Sequence, residues 1–560
     1  MEQQTKQNLR IIPLGGCEEV GRNMTVFEYK KDILILDMGL QFPEEDMPGI
    51  DYVIPNIEYL KGKERNIQGV IFSHGHLDHI GAAPILLKKL GNPFIIGRPL
   101  TIEMIKHRQE DFSKGSSKTL RTTYINNIQK KMHLGSFTAS FFRIDHSIMD
   151  AVGTIIETPV ATVIHPGDWM IEHKPTGRDE IEYTYLAKLK RPTILMLESL
   201  GSTNSKKSVT EEQMLNNLYN LITSAPGRII ITTFSSQILR IKEILDYASR
   251  IGKKVALDGF SMKLNMEIAK KLGYIKVEKD TIIPIGKIMN FPNNKIIVIC
   301  TGAQGEEMSA LSRIVSGDHR FIKIRKSDTI VFSSSVIPGN ERTIQRLKDN
   351  IYRLSDHVLH SDIMDVHASG HSNIEDIKNI ISQIKPDYFI PVYANHFMLK
   401  EAAKIAYNMG FPEDKVFVPD NGSIIQFNKK GAEILKEKVP TNYIFVDGLG
   451  VGDVGEIVLR DRQMLAKDGM FVIVAVVDKQ TGKVKGSPDI ISRGFVYLRE
   501  SKELLQQTRK KVIETIEKST TSGGIINWIY TKNKVRNTLG DFLFQKTQRR
   551  PMVLPVIIEV

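Results

Sequence analysis

An α/β fold spread over several domains is what the sequence predicts, on three observations. The chain has 560 residues, short β-branched runs alternate with helical patterns, and the style of that alternation changes near residue 210. A chain this long exceeds what one hydrophobic core sustains, so about three to four units are expected. Over residues 9 to 210, strands are predicted at 33–36, 69–72, 137–143, 154–157, 161–165 and 193–197, several in hairpin-like pairs. From 211 to 354 the pattern becomes a helix-strand alternation, with continuous apolar runs at 229–232, 254–257, 296–300 and 329–332 that read as buried parallel strands. Residues 357–427 return to strands ending in histidine-bearing loops, as a discontinuous domain would. The Lys-rich, apolar-poor stretch 428–443 suits an exposed linker. Beyond it, strands at 456–459 and 470–477 and a helix over 501–518 predict a small α/β unit. The predicted boundaries are therefore 1–210, 211–355, 356–428, a linker at 429–449, and 450–560.

Composition narrows the function classes. Hydrophobic residues make up 41% and charged residues 25%, as in a water-soluble chain. No apolar run approaches the ~18 to 20 residues that span a bilayer. The start, Met-Glu-Gln-Gln-Thr-Lys-Gln, has no apolar core of a signal peptide. A cytoplasmic address without membrane attachment is the expectation. Cys17 and Cys300 are the only cysteines, which excludes a disulfide framework and a cysteine metal cage. Any metal must be held by carboxylates and the 14 histidines. The excess of 76 basic over 64 acidic residues, a net charge of +12, favours a polyanionic partner such as RNA.

The most informative segment is Ser73-His74-Gly75-His76-Leu77-Asp78-His79, between an apolar strand and a predicted helix over 80–90. Residues two apart in an extended chain share a face, so His74 and His76 can enter one coordination sphere. Asp78 and His79 open the helix and can reach a second sphere, since paired hydrolytic metals lie roughly 3.5 to 4 Å apart. His146 and Asp168 each follow a predicted strand, and a carboxylate with two oxygens can bridge two cations.

This constellation, with Asp37 in Leu36-Asp37-Met38-Gly39, has the order and spacing of the metallo-β-lactamase fold. The segment His367-Ala368-Ser369-Gly370-His371 resembles the nucleic-acid branch that carries an inserted β-CASP domain. Three longer strings are similar to ribonuclease J itself: 301–313 (T-G-A-Q-G-E-E-M-S-A-L-S-R), 332–341 (F-S-S-S-V-I-P-G-N-E) and 488–496 (P-D-I-I-S-R-G-F-V). The resemblance runs from about residue 9 to the C-terminus. It implies a metallo-β-lactamase αββα sandwich (1–210 with 356–428), a β-CASP α/β domain (211–355) and a C-terminal α/β domain (450–560).

The resemblance also implies an activity: metal-dependent RNA phosphodiester hydrolysis, 5′-to-3′ exonucleolytic and also endonucleolytic, in rRNA maturation and mRNA decay. One metal, Zn(II) or Mn(II), would be held by His74, His76, His146 and Asp168. A second would use Asp78, His79, the bridging Asp168 and a histidine in a Pro-Val-His loop. Here that loop reads Pro391-Val392-Tyr393. A neutral phenol with a reference pKa of ~10 donates far less well than imidazole, so one site is complete and the second weakened. His396, three residues on, is a candidate to swing in. The substitution resembles the second, less active ribonuclease J paralogue of bacteria that carry two. It keeps two readings open: a slow nuclease, or a largely non-catalytic RNA-binding scaffold for a more active paralogue. Homo- or hetero-oligomers are implied in either case. A small-molecule hydrolase shares the histidine string but fits poorly with the inserted domain and basic charge.

By the same resemblance His371 would protonate or stabilise the leaving oxygen, with Asp78 and Glu198 as further catalytic groups. The loop from His367 through Ala368, Ser369 and Gly370 would bind phosphate near the metals. Gly302, Gln304 and Gly305, with Ser333, Ser334 and Ser335, would receive a 5′-monophosphate end. Strand ends entering helices through glycine or serine expose the backbone N–H groups such a role needs. Leu239 stands where the family has histidine and Phe260 where it has arginine, both losses of phosphate-directed groups. Basic residues of the C-terminal part, including Arg509, Lys510, Lys511, Lys532, Lys534, Arg536, Arg549 and Arg550, are candidates to restore charge.

Overall fold

The computed structural model describes residues 7–44, 46–173, 179–206, 209–306, 308–337, 339–496, 501–520 and 527–560. Glu307 and Pro338, in two of the loop strings above, lie outside these residues. The described chain forms two compact units, one running through Phe42 and resuming over Val53–Ile444, the other made of Pro43–Tyr52 and Phe445–Val560.

Two sheets dominate the first unit. Eight strands form one, whose inner strands include Leu9–Gly15, Met24–Tyr29, Asp32–Leu36 and Ile67–Ile71; six form the other, including Phe137–Arg143, Val152–Glu157, Thr162–His165, Thr193–Glu198 and Tyr388–Val392. Alternate residues point to opposite faces of a strand, and one set from each sheet meets in a shared core: Ile11, Phe27 and Leu34 from the first, Phe137, Ala139 and Ile156 from the second. The other face of the six-stranded sheet, through Ile155, Ile164 and Leu195, packs under the helices Ile374–Ile384 and His396–Asn408. Buried β-branched strands on both faces are what such a sandwich requires.

Topology places strand ends together. Thr162–His165, Thr193–Glu198 and Tyr388–Val392 are mutually parallel neighbours. Phe137–Arg143 runs in the same direction, being antiparallel to Val152–Glu157, which is antiparallel to Thr162–His165. Their C-terminal ends therefore share one edge of the sheet.

The inserted segment is a parallel sheet ordered Lys254–Asp258, Ile296–Cys300, Ile229–Thr232, Thr329–Phe332, His357–Leu359. Ile229 and Ile231 face one layer of helices, Ile230 the other. A capping box at Thr210, whose hydroxyl accepts from Gln213 N while the Gln213 side chain accepts from Thr210 N, starts the first of these helices, Glu211–Ser224.

Four expectations need correction. His357–Leu359 pairs onto the inserted sheet, so residues 356–359 belong with it and not with 356–428. The expected linker at 429–449 is mostly paired: Gly431–Lys438 is an edge strand on Ser423–Asn428, lysine-rich because its face is solvated. Residues 456–459 open the helix Glu456–Asp468, in which a short β-branched run is overridden by the helix-forming residues that follow. The single helix over 80–90 is two, Leu77–Ile80 and Ala83–Lys89.

In the second unit, Met470–Val477 is central in a three-stranded sheet between Val484–Arg493 and Met552–Glu559. Its residues alternate between buried and half-buried, and Phe471, Ile473 and Val477 share a core with Val512, Ile516, Val535 and Leu539 of two long helices. Among the described residues, no helix is long and apolar enough to cross a membrane.

Candidate metal centre

His74 to His79 occupy the turn after Ile67–Ile71, and His146 and Asp168 sit just past Phe137–Arg143 and Thr162–His165. One ligand atom from each of His74, His76, His146 and Asp168 lies within 4.8 Å of the others. His76 Nδ1 is central, 3.0 Å from His74 Nε2 and 3.1 Å from His146 Nε2. Asp78, His79 and Asp168 make a second such group, with His79 Nε2 3.3 Å from Asp168 Oδ1 and 3.5 Å from Asp78 Oδ2. Asp168 belongs to both.

The donor chemistry fits divalent metal binding. Burial, reinforced for His74 by neighbouring imidazoles, holds the rings of the first group below the usual histidine range: His76 at about 4, His146 at about 3 and His74 well below normal. Each ring therefore keeps one nitrogen lone pair free of a proton at neutral pH, the state a metal needs. His146 donates from Nδ1 to the Gly370 carbonyl at 2.7 Å, which aims Nε2 inward. In the second group burial opposes a charge on His79, yet the carboxylates of Asp168, Asp78 and Asp37 outweigh it and raise its pKa well above the usual histidine range. Three carboxylates around one imidazole are an anionic pocket that a cation would balance.

Asp37 sets this geometry. Its carboxylate takes His79 Nδ1 at 2.8 Å and the Ser73 backbone N–H at 2.8 Å, an arrangement that fixes a ligand histidine's tautomer. Tyr393 points to the same carboxylate, its hydroxyl 3.5 Å from Asp37 Oδ2 and its ring 5.4 Å from that of His79. The phenol thus sits against the His79 and His165 rings. Asp37 (φ 61°) and Tyr393 (φ 58°) both have left-handed backbone, a conformation worth of order 1–3 kcal/mol in strain at each position. His396 does not fill the gap: its Nδ1 is 3.4 Å from Asp420 Oδ1, and it groups with Glu18 and Asp420 at an exposed position.

The five-residue loop at 367–371 closes over the histidines. A Cβ on Gly370 would lie 3.2 Å from His146 Cε1 and 2.7 Å from Ser147 Cβ, so Gly370→Ala is expected to displace His146. The result should be weaker metal binding by about 10- to 100-fold, the usual effect of losing a partner that orients a ligand, read by isothermal titration with Mn(II). His371 Nδ1 lies 3.7 Å from Glu198 Oε1, and its ring is 5.5 Å from that of His146. Glu198 ends its strand fully buried, with Oε1 accepting from Leu200 N at 2.6 Å and Oε2 unpartnered. Burial, then the Asp168 charge, raises its pKa well above the carboxylate range.

The other candidate groups are partly engaged in holding loops. Arg240 is buried and donates to Ser333 O, His367 Nδ1 and Ala368 O at 3.1 to 3.3 Å. Ser333 Oγ donates to Val366 O at 2.7 Å. Gln304 ties two loops together, donating to Ser335 O and accepting from Ile337 N. Gly302 (φ 112°) approaches Ser309 too closely for any side chain, while Gly305 turns the same loop. Ser334 is buried beside Ser333, and Ser369 Oγ accepts from His371 N. In the C-terminal unit Arg509 and Arg549 donate to the carbonyls of Pro488 and Phe495.

Two polar residues beside the cluster escape sequence reasoning. Asn23 Nδ2 lies 3.0 Å from His79 Nε2 and 3.3 Å from Asp78 Oδ2, and Ser236 Oγ lies 3.0 Å from His76 Nε2. Neither residue sits in a ligand-spaced string, so sequence carried no signal for them.

Comparison with known proteins now bears on this geometry. Residues 18–176 match the family described as Metallo-beta-lactamase superfamily, 226–351 match Ribonuclease J, beta-CASP domain, and 457–560 match Ribonuclease J C-terminal domain. Ribonuclease J 2 of Staphylococcus aureus (strain MRSA252) is 35% identical over 557 residues, covering 99% of both chains. The chain belongs to the ribonuclease J family. Ribonuclease J 2 of Staphylococcus epidermidis (strain ATCC 35984) is 34% identical over the same length. A protein of unknown function from Enterococcus faecalis V583 has a similar fold, with a TM-score of 0.51 at 15% identity, covering 76% of this chain and 100% of that one. As a ribonuclease J chain, it combines metallo-β-lactamase and β-CASP domains, and membership supports a metal-dependent ribonuclease role acting on RNA.

Proposed function

We infer that this chain cleaves RNA slowly at the His74, His76, His146 and Asp168 pocket, 5′-to-3′ from a monophosphorylated end and also endonucleolytically. The processes served are rRNA maturation and mRNA decay in the cytoplasm. The observation that carries this reading is the cluster of uncharged imidazoles and one carboxylate within 4.8 Å, at a strand edge beside the 367–371 loop. Divalent cations, Zn(II) or Mn(II), when bound there supply an activated water and neutralise charge developing on the phosphate oxygens.

The protein's own groups do the rest. His146 and His79 are oriented by Gly370 O and Asp37, so the ligand set is preorganised. His371, half-exposed with its Nδ1 3.7 Å from Glu198 Oε1, would give a proton to the departing oxygen, and Glu198 is a positioning residue for it. His371→Ala is expected to slow cleavage by ~10²- to 10⁴-fold, the range for a general acid. Glu198→Gln, which removes the ionisable group at nearly the same shape, should retain the wild-type pH profile, since burial favours the protonated acid at this position. A shifted profile in that variant would mean that an ionised Glu198 is required.

Slowness follows from Tyr393, whose hydroxyl engages Asp37 and leaves the second pocket one donor short. The same feature favours a second reading, a scaffold that binds RNA alongside a more active paralogue in a hetero-oligomer. An assay on 5′-monophosphorylated RNA with Mn(II) titrated upward separates the two. Cleavage that rises with Mn(II) supports the nuclease; absence of cleavage at every concentration supports the scaffold.

A further inference from the structure

Each imidazole of the first metal group turns one nitrogen inward and the other onto an oxygen. Inward, His76 Nδ1 faces His74 Nε2 at 3.0 Å and His146 Nε2 at 3.1 Å. Outward, His74 Nδ1 lies 3.0 Å from Ser73 Oγ, His146 Nδ1 2.7 Å from Gly370 O, and His76 Nε2 3.0 Å from Ser236 Oγ. A neutral imidazole carries one N–H and one lone pair. For His76 Nδ1 to hold a cation, the ring proton must be on Nε2, where the Ser236 hydroxyl oxygen can accept it.

Ser236 comes from the inserted domain, 160 residues along the chain from His76. It sits in the loop between Ile229–Thr232 and the helix Ile238–Arg250, and that loop is held firmly. Asn265, buried on the helix Phe260–Lys271, donates from Nδ2 to Ser235 O at 2.9 Å. Gln237 N and Ile238 N close the turn on Phe234 O and Ser236 O, and both residues are buried. Ile231, Ile238 and Ile241 share one apolar core with Leu100 and Ile148 of the metallo-β-lactamase part, and Ile148 is two residues past His146. The hydroxyl therefore meets His76 from a backbone that packing has already fixed, the condition under which a supporting group can hold a ligand in place.

We propose that Ser236 is a positioning residue for the metal: its hydroxyl accepts from His76 Nε2–H, keeps Nδ1 turned toward His74 and His146, and makes the inserted domain a part of the metal centre. A partner of this kind fixes both the tautomer and the ring orientation of a ligand histidine. Without it the two ring nitrogens compete for the proton, and a ring protonated at Nδ1 has no lone pair to offer inward. The proposal rests on the reading above, in which His74, His76, His146 and Asp168 hold the metal.

The test is a titration of the metal-free full-length protein with Co(II), followed by the visible absorption of the bound ion, which reports both affinity and coordination. Ser236→Val and Ser236→Thr have the same shape and differ only in the hydroxyl. Ser236→Val is expected to bind Co(II) about 10- to 100-fold more weakly, the usual loss for an orienting partner, with altered absorption bands. Ser236→Thr should stay near wild type in both respects. Thermal unfolding of the two metal-free variants should coincide, which separates loss of the bond from a damaged fold. Equal affinity of Ser236→Val and wild type overturns the proposal. So does Ser236→Thr weakened as much as Ser236→Val, since bulk would then be the cause. Wild type that takes up no Co(II) would remove the metal pocket itself; Co(II) binding indifferent to the hydroxyl removes only the role of Ser236.

Discussion

Replacing His76 by alanine is expected to abolish the bound metal and cut RNA cleavage on the order of 10³-fold, several kcal/mol of lost charge stabilisation. His76 lies between His74 and His146, within 3.1 Å of both, so its loss opens the centre of the donor set and not its margin. The fold should survive. His76 contributes its backbone carbonyl to the short helix Leu77–Ile80, accepting from His79 N and Ile80 N, and alanine retains that group. Thermal unfolding of the metal-free variant should therefore match wild type, while elemental analysis shows less metal. Undiminished cleavage by a variant that holds no metal would overturn the assignment of this pocket.

Tyr393→His is expected to have the opposite effect: two metals per chain in place of one, and cleavage faster by at least about 10-fold, since a change in even an orienting partner moves metal affinity 10- to 100-fold. Imidazole is shorter than phenol, and Tyr393 packs edge-on 5.4 Å from the His79 ring, so the exchange creates space beside the second group. It also frees the Asp37 carboxylate from the phenol and leaves it to His79. Left-handed backbone at 393 is tolerated by histidine better than by most side chains. Metal stoichiometry and rate that both stay at wild-type values would mean that Tyr393 is not the defect.

The strict string marked His74 and His76 by spacing alone, while their grouping with His146 and Asp168 came from the family resemblance and is a cluster in the folded chain. The alternation of buried strands with helices likewise marked the inserted sheet. Local pattern could not tell where that sheet ends, because His357–Leu359 is short and joins it only through Thr329–Phe332. Nor could it assign the segment 43–52 to the C-terminal unit. The direction of Tyr393 was hidden for a similar reason. A missing ligand reads from the sequence as a weak donor, whereas the folded chain turns the phenol onto Asp37, 356 residues away. The side chains of Ser333 and Gln304 are committed to loop-to-loop bonds, a use of polar groups that no single string reveals.

The bond from His146 to the Gly370 carbonyl spans 224 residues of chain, and the strand before Tyr393 pairs with one that ended at Glu198. Closing so long a loop delays native pairing relative to local structure. During synthesis on the ribosome the histidine string therefore emerges early but stays without its closing partner until the whole insertion has been translated. A product ending before residue 367 would carry these ligand residues without the carbonyl that orients His146.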